Sequence, residues 1–577
     1  MRPYFEQMAT IGHELRKGEV KRSMGNVDEI KACEEQLEKE VDNIKKAGIP
    51  EAKMNARGQL TIWQRINVLV DEGSFIPLHT LYNPMDNPEG STNVFDGLAR
   101  ISGKWVVVIG FDNKVLAGAW LPGQSENILR VTDLSKRINI PLVWIVNCSG
   151  AKLPEQEKFY ANRRGAGTPF FRHAELAQLG IPVLAGIYGT NPAGGGYQSI
   201  SPAVLFAHKD CNIAVGGAGI VSGMTPKGFF DRETAEDLID KTRHFRAQPP
   251  GTVKTHYDET GFFRYVYEEE KDVLLGIREF MKKLPAYDPE VFRVAEPKAP
   301  GYNINDLYNI VPMSPKKIYD IEEVIARLGD GGEFSEFRPG YGPEVVTGLC
   351  KIDGFLTAVI ANRQGYLGKD YPEYADYPGI GGKLYRQGLI KMNEFVTLCG
   401  RDRIPIIWIQ DTSGIDVGDT AEKAELLGLG QSLVYSIQST DIPMMLIVLR
   451  KGTAAAHYLM GGPTANRQNA FSIGTAATEI QVMHGETAAV ATYSRRLVKE
   501  KDSGGDIDAV IDAMNRLAED YYIKSRPAFC AKTGLVDEIV PMSALRKYLE
   551  AFAGACYQNP KSFCPHHQMI LPRIIKG

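Results

Sequence analysis

IPLVWIVNCSGAKL at residues 140–153 and IPIIWIQDTSGIDV at residues 404–417 are identical at six of fourteen positions, and most of the others keep their apolar character. The surrounding sequence repeats in the same order. GLARISG (97–103) answers GLCKIDG (348–354), VLVDEGSF (68–75) answers ARLGDGGEF (326–334), and GIPVLAGIYGTNPAGGGY (180–197) answers DIPMMLIVLRKGTAAAHY (441–458). The offsets are all about 250–265 residues, so the chain reads as a duplicated domain. One such pair is ordinary in α/β proteins, where Ile-Pro, an apolar run and a small turn recur; four collinear pairs are not.

The Ile-Pro runs are short, β-branched and apolar at every position, which predicts strands covered on both faces. Helical spacing fills the gaps, as in QSENILRVTDLSKR (124–137) and KLYRQGLIKMNEFVTL (383–398). Strand, helix, strand in this order predicts right-handed crossovers, hence two α/β domains with ligand-binding turns at the carboxyl ends of parallel strands. Residues 285–315 carry Pro285, Pro289, Pro297, Pro300, Pro312 and Pro315, a density that breaks helices and central strands. The expected organisation is an N-terminal helical arm over 1–54, a first repeat over 55–300 and a second over 301–577. In the arm, Ile30, Cys33, Leu37, Val41 and Ile44 recur every three to four residues among charges, which predicts an amphipathic helix over 28–47 packed on the body or on a second subunit.

Composition narrows the function. With 66 Lys and Arg against 70 Asp and Glu, the net charge is -4, which removes the cationic excess that phosphate backbones require. The apolar runs, such as Ile140 to Val146 and Met444 to Leu449, are too short to span a bilayer, and MRPYFEQM has no apolar signal core. Eight cysteines are scattered without a C-x-x-C pair, as expected of reduced thiols in a cytoplasmic protein. The Asn147-Cys148-Ser149 sequon closes an apolar run and lacks a secreted context.

Two turns in each repeat carry the candidate chemistry. Ser149-Gly150-Ala151 and Ser413-Gly414-Ile415 follow a predicted buried strand; Ala193-Gly194-Gly195-Gly196 and Ala454-Ala455-Ala456 follow the next and open a helix. Residues without bulk let a ligand approach the backbone, and a helix start offers unpaired N–H groups. Two such turns facing each other would aim two donors at one oxygen, the physical design of an oxyanion hole. Other signals are weaker. GGAGIVSG (216–223) lacks dinucleotide-loop spacing, Cys564-Pro565-His566-His567 reads as a surface tail, His13-Glu14 lacks a second His, and no P-loop or nucleophile elbow occurs. Arg163-Arg164 are candidate partners for a carboxylate or a CoA phosphate.

With these turns, and with QLTIWQRINVLVDEGSF (59–75), PGYGPEVVTGLCKIDG (339–354), NEFVTLCGRDRIPIIWIQDTSG (393–414) and EIQVMHGETAAVATY (479–493), the chain resembles the carboxyltransferase subunits of biotin-dependent enzymes from about residue 55 to about 545. It is most similar to those of the sodium-pumping decarboxylases. The resemblance implies two tandem crotonase-like domains in a homodimer or larger homo-oligomer, with an active site joining one subunit's first repeat to another's second. It implies that amides near Ala151, Gly194 and Gly195 hold the thioester oxygen of an acyl-CoA, glutaconyl-CoA, with Gly150, Gly196, Arg163 and Arg164 around the substrate. Amides near Ile415, Ala455 and Ala456, with Gly414 and Ala454, would hold the ureido oxygen of biotin. Many relatives carry glycines where this chain has Ala454-Ala455-Ala456. No metal is implied. The chain carries no Ala-Met-Lys-Met type of biotin attachment site, so the resemblance implies biotin on a carrier subunit and a separate membrane decarboxylase subunit holding this one at the membrane. Gly195→Val is expected to block the acyl-CoA and leave folding largely intact. The competing expectations are the β subunit of an acyl-CoA carboxylase such as one acting on methylcrotonyl-CoA, a crotonase-like hydratase or hydrolase, and a scaffold without catalysis.

Overall fold

The structure is a computed structural model that describes residues 8–160, 163–200, 202–217, 229–284, 289–368 and 379–559. The chain forms two compact units, one of residues 40–287 and one of residues 1–39 with 288–577. Each is a mixed α/β unit of the crotonase-like type.

In the first, a seven-stranded sheet runs in the order Tyr265–Tyr267, Val204–His208, Val183–Ile187, Leu142–Val146, Lys104–Phe111, Val94–Ile101, Ile76–Leu78. Its first five strands are parallel and its last two antiparallel. In the second, the corresponding path is Glu333–Glu336, Val345–Ile352, Phe355–Asn362, Ile406–Thr412, Met444–Thr453, Asn469–Gly474, Glu538–Ile539, again antiparallel at one end and parallel thereafter. The duplication read from sequence is therefore a duplication of topology.

The repeated motifs owe their residues to the same physical devices. The helices Gln124–Ile138 and Arg386–Asp402 both stop at a left-handed residue, Asn139 (φ 58°) and Arg403 (φ 59°). Proline follows two residues later, where a helix cannot continue. Its carbonyl then starts the ladder: Val107 N–H donates to Pro141 and Ala358 N–H to Pro405, both at 2.9 Å. All five residues of Leu142–Val146 and all seven of Ile406–Thr412 are buried, as parallel strands covered on both faces require. The hairpin tips match too. Asp71 accepts from the Ser102 and Gly103 amides and pairs with Arg278; Asp330 accepts from Asp353 and Gly354 and pairs with Arg546.

The expected arm is divided between the units. Its helix spans Lys17–Lys46, longer than the apolar pattern indicated, and buries Ile30, Leu37 and Ile44. The strand Ala9–Thr10 extends the second unit's sheet by pairing with Glu333 and Phe334. Asn26 donates to the Tyr308 and Val311 carbonyls and accepts from Met313 N–H, while Glu34 accepts from Met542 N–H and the Tyr308 hydroxyl. Residues 8–39 thus belong to the unit whose remainder begins near residue 288.

Candidate active site

In the unit of residues 40–287, two strand ends are tied by one buried side chain. Asn191 accepts from Cys148 N–H at 2.8 Å and donates to the Tyr188 carbonyl at 2.9 Å. Beyond Cys148 the chain turns through Gly150 (φ 100°) and re-pairs with Trp120. Trp120 N–H donates to the Gly150 carbonyl at 2.8 Å, and Lys152 N–H donates to the Trp120 carbonyl at 3.0 Å. Alternation along a parallel ladder leaves the residue between, Ala151, with its own N–H directed away from Trp120.

The second turn abuts the first. Ala193 sits at φ 50° and opens the helix Gly194–Ile200. The first helical bond is Tyr197 N–H to the Ala193 carbonyl, so the amides of Gly194, Gly195 and Gly196 precede the helical ladder. A Cβ at Gly195 would lie 2.4 Å from the Cys148 carbonyl oxygen, and one at Gly194 would lie 3.2 Å from the Trp120 ring. The glycine at 195 is thus demanded by backbone packing between the two turns. This corrects the expectation for Gly195→Val, which would disturb the fold as well as the ligand.

Arg163 and Arg164 lie on an exposed turn ahead of the helix Thr168–Gln178, and Arg164 is paired with Glu126 at 2.8 Å. On the helix Thr168–Gln178, His173 packs against Trp144 with ring centroids 5.1 Å apart and the ring planes tilted by 40°. Burial pushes its pKa down to about 4, so it is a neutral ring at physiological pH.

The other unit repeats this construction with different side chains. Gly414 (φ 139°) leads out of the strand, and Gly414–Ile415 pairs in parallel with Lys383–Leu384. Ser413 N–H donates to the Gly382 carbonyl and Asp416 N–H to the Leu384 carbonyl, so the Ile415 amide points away from the ladder as the Ala151 amide does. A Cβ at Gly414 would meet nothing within 4 Å. Ala454 sits at φ 51° and starts the helix Ala454–Leu459, in which Ala454 and Ala455 are exposed and Ala456 is buried. Here the strand is tied to the helix by Gln410, which donates to the His457 carbonyl at 3.2 Å and accepts from His457 Nδ1 at 2.8 Å. The Thr453 hydroxyl, at the helix start, is buried without a hydrogen-bond partner.

Charge distinguishes this second turn. Arg450 and Asp411, each 1% exposed, pair at 2.7 Å, and Lys451 Nζ lies 3.0 Å from Ser413 Oγ. Burial pushes the Lys451 pKa down and Asp411 opposes that shift. Asn191, Gln410, Asp411, Arg450 and Lys451 were not singled out from sequence. Arg450-Lys451 had a visible signal, two cations closing an apolar strand where the first repeat has Gly189-Thr190. Among the described residues no group of three or more His, Cys, Asp and Glu could hold a metal ion. The Cys564 to His567 cluster and residues 369–378 lie outside the described residues.

A family model described as a carboxyl transferase domain matches residues 53–570. Subunit alpha of glutaconyl-CoA decarboxylase from Acidaminococcus fermentans is 58% identical over 576 residues, covering 99% of this chain and 97% of that protein. The mitochondrial methylcrotonoyl-CoA carboxylase beta chain of Arabidopsis thaliana is 26% identical over 493 residues, covering 82% of this chain and 77% of that one. Among solved structures, the beta subunit of geranyl-CoA carboxylase from P. aeruginosa superposes with a TM-score of 0.76 at 22% identity, over 95% of this chain and 97% of that one, and so shares its fold.

Proposed function

This chain belongs to the carboxyl transferase family, and from that membership we propose that it is the carboxyltransferase subunit of a biotin-dependent glutaconyl-CoA decarboxylase. It takes the carboxyl group from glutaconyl-CoA, leaves crotonyl-CoA, and passes the carboxyl to biotin carried by a partner subunit. The choice of substrate is supported by 58% identity along nearly the whole of both chains. The chemistry is supported by one repeated observation: in each unit an outward-pointing amide, at Ala151 or Ile415, stands beside a helix start entered through a left-handed alanine.

In the first unit, the N–H groups of Ala151, Gly194 and Gly195 hold the thioester oxygen, with Gly150 keeping the approach open and Arg163 and Arg164 on the substrate's charged groups. Gly196, expected beside the substrate, is buried instead against the Asn191 and Ala214 carbonyls, where a Cβ would lie 3.1 and 3.0 Å away. When the C–C bond to the distal carboxylate breaks, CO2 leaves and the bonding electrons delocalise through the double bond onto that oxygen. A proton taken up at the γ carbon then gives crotonyl-CoA. Donors already aimed at the oxygen stabilise the dienolate without reorganising, and each is typically worth about 3–4 kcal/mol.

In the second unit, Gly414, Ile415, Ala454, Ala455 and Ala456 hold the biotin ring. The fit rests on the open space at Gly414 and the unpartnered buried hydroxyl of Thr453. Biotin would supply the ring nitrogen that takes up the carboxyl group, and the proton that nitrogen gives up balances the one taken up at the γ carbon. The Ile415, Ala455 and Ala456 amides draw charge onto the ureido oxygen and so raise the nucleophilicity of that nitrogen.

The partners on this reading are a biotin carrier, a membrane decarboxylase subunit and further copies of this chain, with the first repeat of one copy working against the second repeat of another. Among the described residues no helix is long and apolar enough to cross a membrane, and the chain works at the cytoplasmic face of the membrane through its partners. The test is an assay of the purified chain with glutaconyl-CoA and free biotin. Crotonyl-CoA is expected only when biotin is present. Turnover without biotin, or none with it, would overturn the reading.

A further inference from the structure

The two strand-end turns carry equivalent serines that are hydrogen-bonded in opposite senses. Ser149 donates its hydroxyl proton to the Leu116 carbonyl at 2.9 Å, so that proton is used inside the protein. Ser413, equally placed one residue before the turn's glycine, accepts from Lys451 Nζ at 3.0 Å. An ammonium can only donate. The Ser413 oxygen therefore spends a lone pair on Lys451 and keeps its own proton for another acceptor.

The cation behind Ser413 is buried in the fold. Lys451 is 7% exposed, near the end of the strand Met444–Thr453. The nearest carboxylate, Asp411, is 3.7 Å away and is already paired with Arg450 at 2.7 Å. Glu479, the other acid acting on Lys451, is paired with Arg526 at 3.0 Å. Asp411, Arg450 and Lys451 together hold one surplus positive charge beside the turn. The aligned residues of the first repeat, Asn147, Gly189 and Thr190, hold none. A cation kept dry against the cost of desolvation implies an anion, or an oxygen becoming one, as its intended neighbour.

The geometry points to Ser413 as a side-chain hydrogen-bond donor to the ureido oxygen of biotin, with Lys451 as the positioning residue that orients and polarises it. The second turn would then offer one charge-assisted donor that the first lacks. This inference rests on the reading of the second turn as the biotin site.

Free biotin is the probe, and the full chain is used throughout. Saturation-transfer NMR measures biotin binding, and steady-state kinetics vary biotin and glutaconyl-CoA separately. Ser413→Ala and Lys451→Met are each expected to weaken biotin binding about 10-fold. The KM for glutaconyl-CoA is expected to stay within about 2-fold, because that site is built elsewhere. The double variant is expected to bind no more weakly than either single variant, since the pair acts as one unit, and Lys451→Arg should restore part of the loss. Ser413→Ala removes one oxygen and keeps the test valid if Lys451→Met folds poorly. Wild-type biotin affinity in Ser413→Ala, or additive losses in the double variant, would overturn the inference. A wild-type chain that neither binds nor uses biotin would instead overturn the functional reading beneath it.

Discussion

Ala193 and Ala454 share one left-handed φ, 50° at the first and 51° at the second, each where a strand gives way to a short helix. Holding a residue with a Cβ in this region costs about 1–2 kcal/mol, and the cost appears at the same place in both repeats. Strain kept at a functional turn fixes the direction of the amides that follow it. Ala193→Gly should therefore stabilise its unit by about 1 kcal/mol in chemical denaturation, while lowering kcat by about 3- to 10-fold as the Gly194 and Gly195 amides loosen. A gain in stability with unchanged kcat would mean the strain has no catalytic use.

Adjacent glycines should separate packing from binding. Gly195→Ala places a Cβ against the Cys148 carbonyl oxygen and should lose about 1–3 kcal/mol of stability. Gly194→Ala meets only the edge of the Trp120 ring and gains helix propensity, so its stability should change by less than about 1 kcal/mol. Its effect should fall on the KM for glutaconyl-CoA. Melting temperatures and kinetics of the two variants read the difference.

Ala455 is exposed at the start of its helix, where added side-chain volume costs the fold little, about 0.5 kcal/mol. Ala455→Val should raise the KM for free biotin by about 10-fold or more, with the KM for glutaconyl-CoA nearly unchanged. Equal increases in both would argue against a division of labour between the repeats.

His457 should make its unit sensitive to acid. Burial pushes its pKa down to about 4 from 6.5. Between those values the unfolded chain binds a proton that the folded state refuses, so stability is complete above about pH 6.5 and falls as pH drops towards 4. The loss is up to about 3 kcal/mol at the low end. His457→Gln should flatten the slope of unfolding free energy against pH in that window by up to about one proton. Denaturant titrations at several pH values measure it.

What the sequence revealed follows from what its signals physically are. The Ile-Pro runs announced buried parallel strands because a strand covered on both faces tolerates no polar alternation, and Ile406–Thr412 is buried throughout. The helix ends were legible because a proline beyond the first turn cannot continue a helix, as at Pro141 and Pro405. The small-residue turns were visible, but not the reason for each glycine: the approach of Gly195 to Cys148 joins residues 47 apart in sequence. Asn191 and Gln410 resembled ordinary turn and strand residues until their buried hydrogen bonds were seen. The amphipathic stripe of the first long helix showed which face is covered, but a stripe does not name its partner. That partner is written in the bonds of Asn26 and Glu34 to residues 308–313 and 542.

That last arrangement has a consequence for synthesis on the ribosome. Residues 8–39 leave the exit tunnel well before their partners: the edge they extend at Glu333 and Phe334 and the carbonyls that Asn26 caps are translated some 300 residues later. At about 5–20 residues per second the leading segment waits roughly 15–60 s for its binding surface. Residues 40–287 can finish folding within that interval as an insertion between the two pieces of the other unit. The segment is made long before the surface that covers it, and during the delay the apolar stripe of Ile30 and Leu37 is uncovered on the nascent chain.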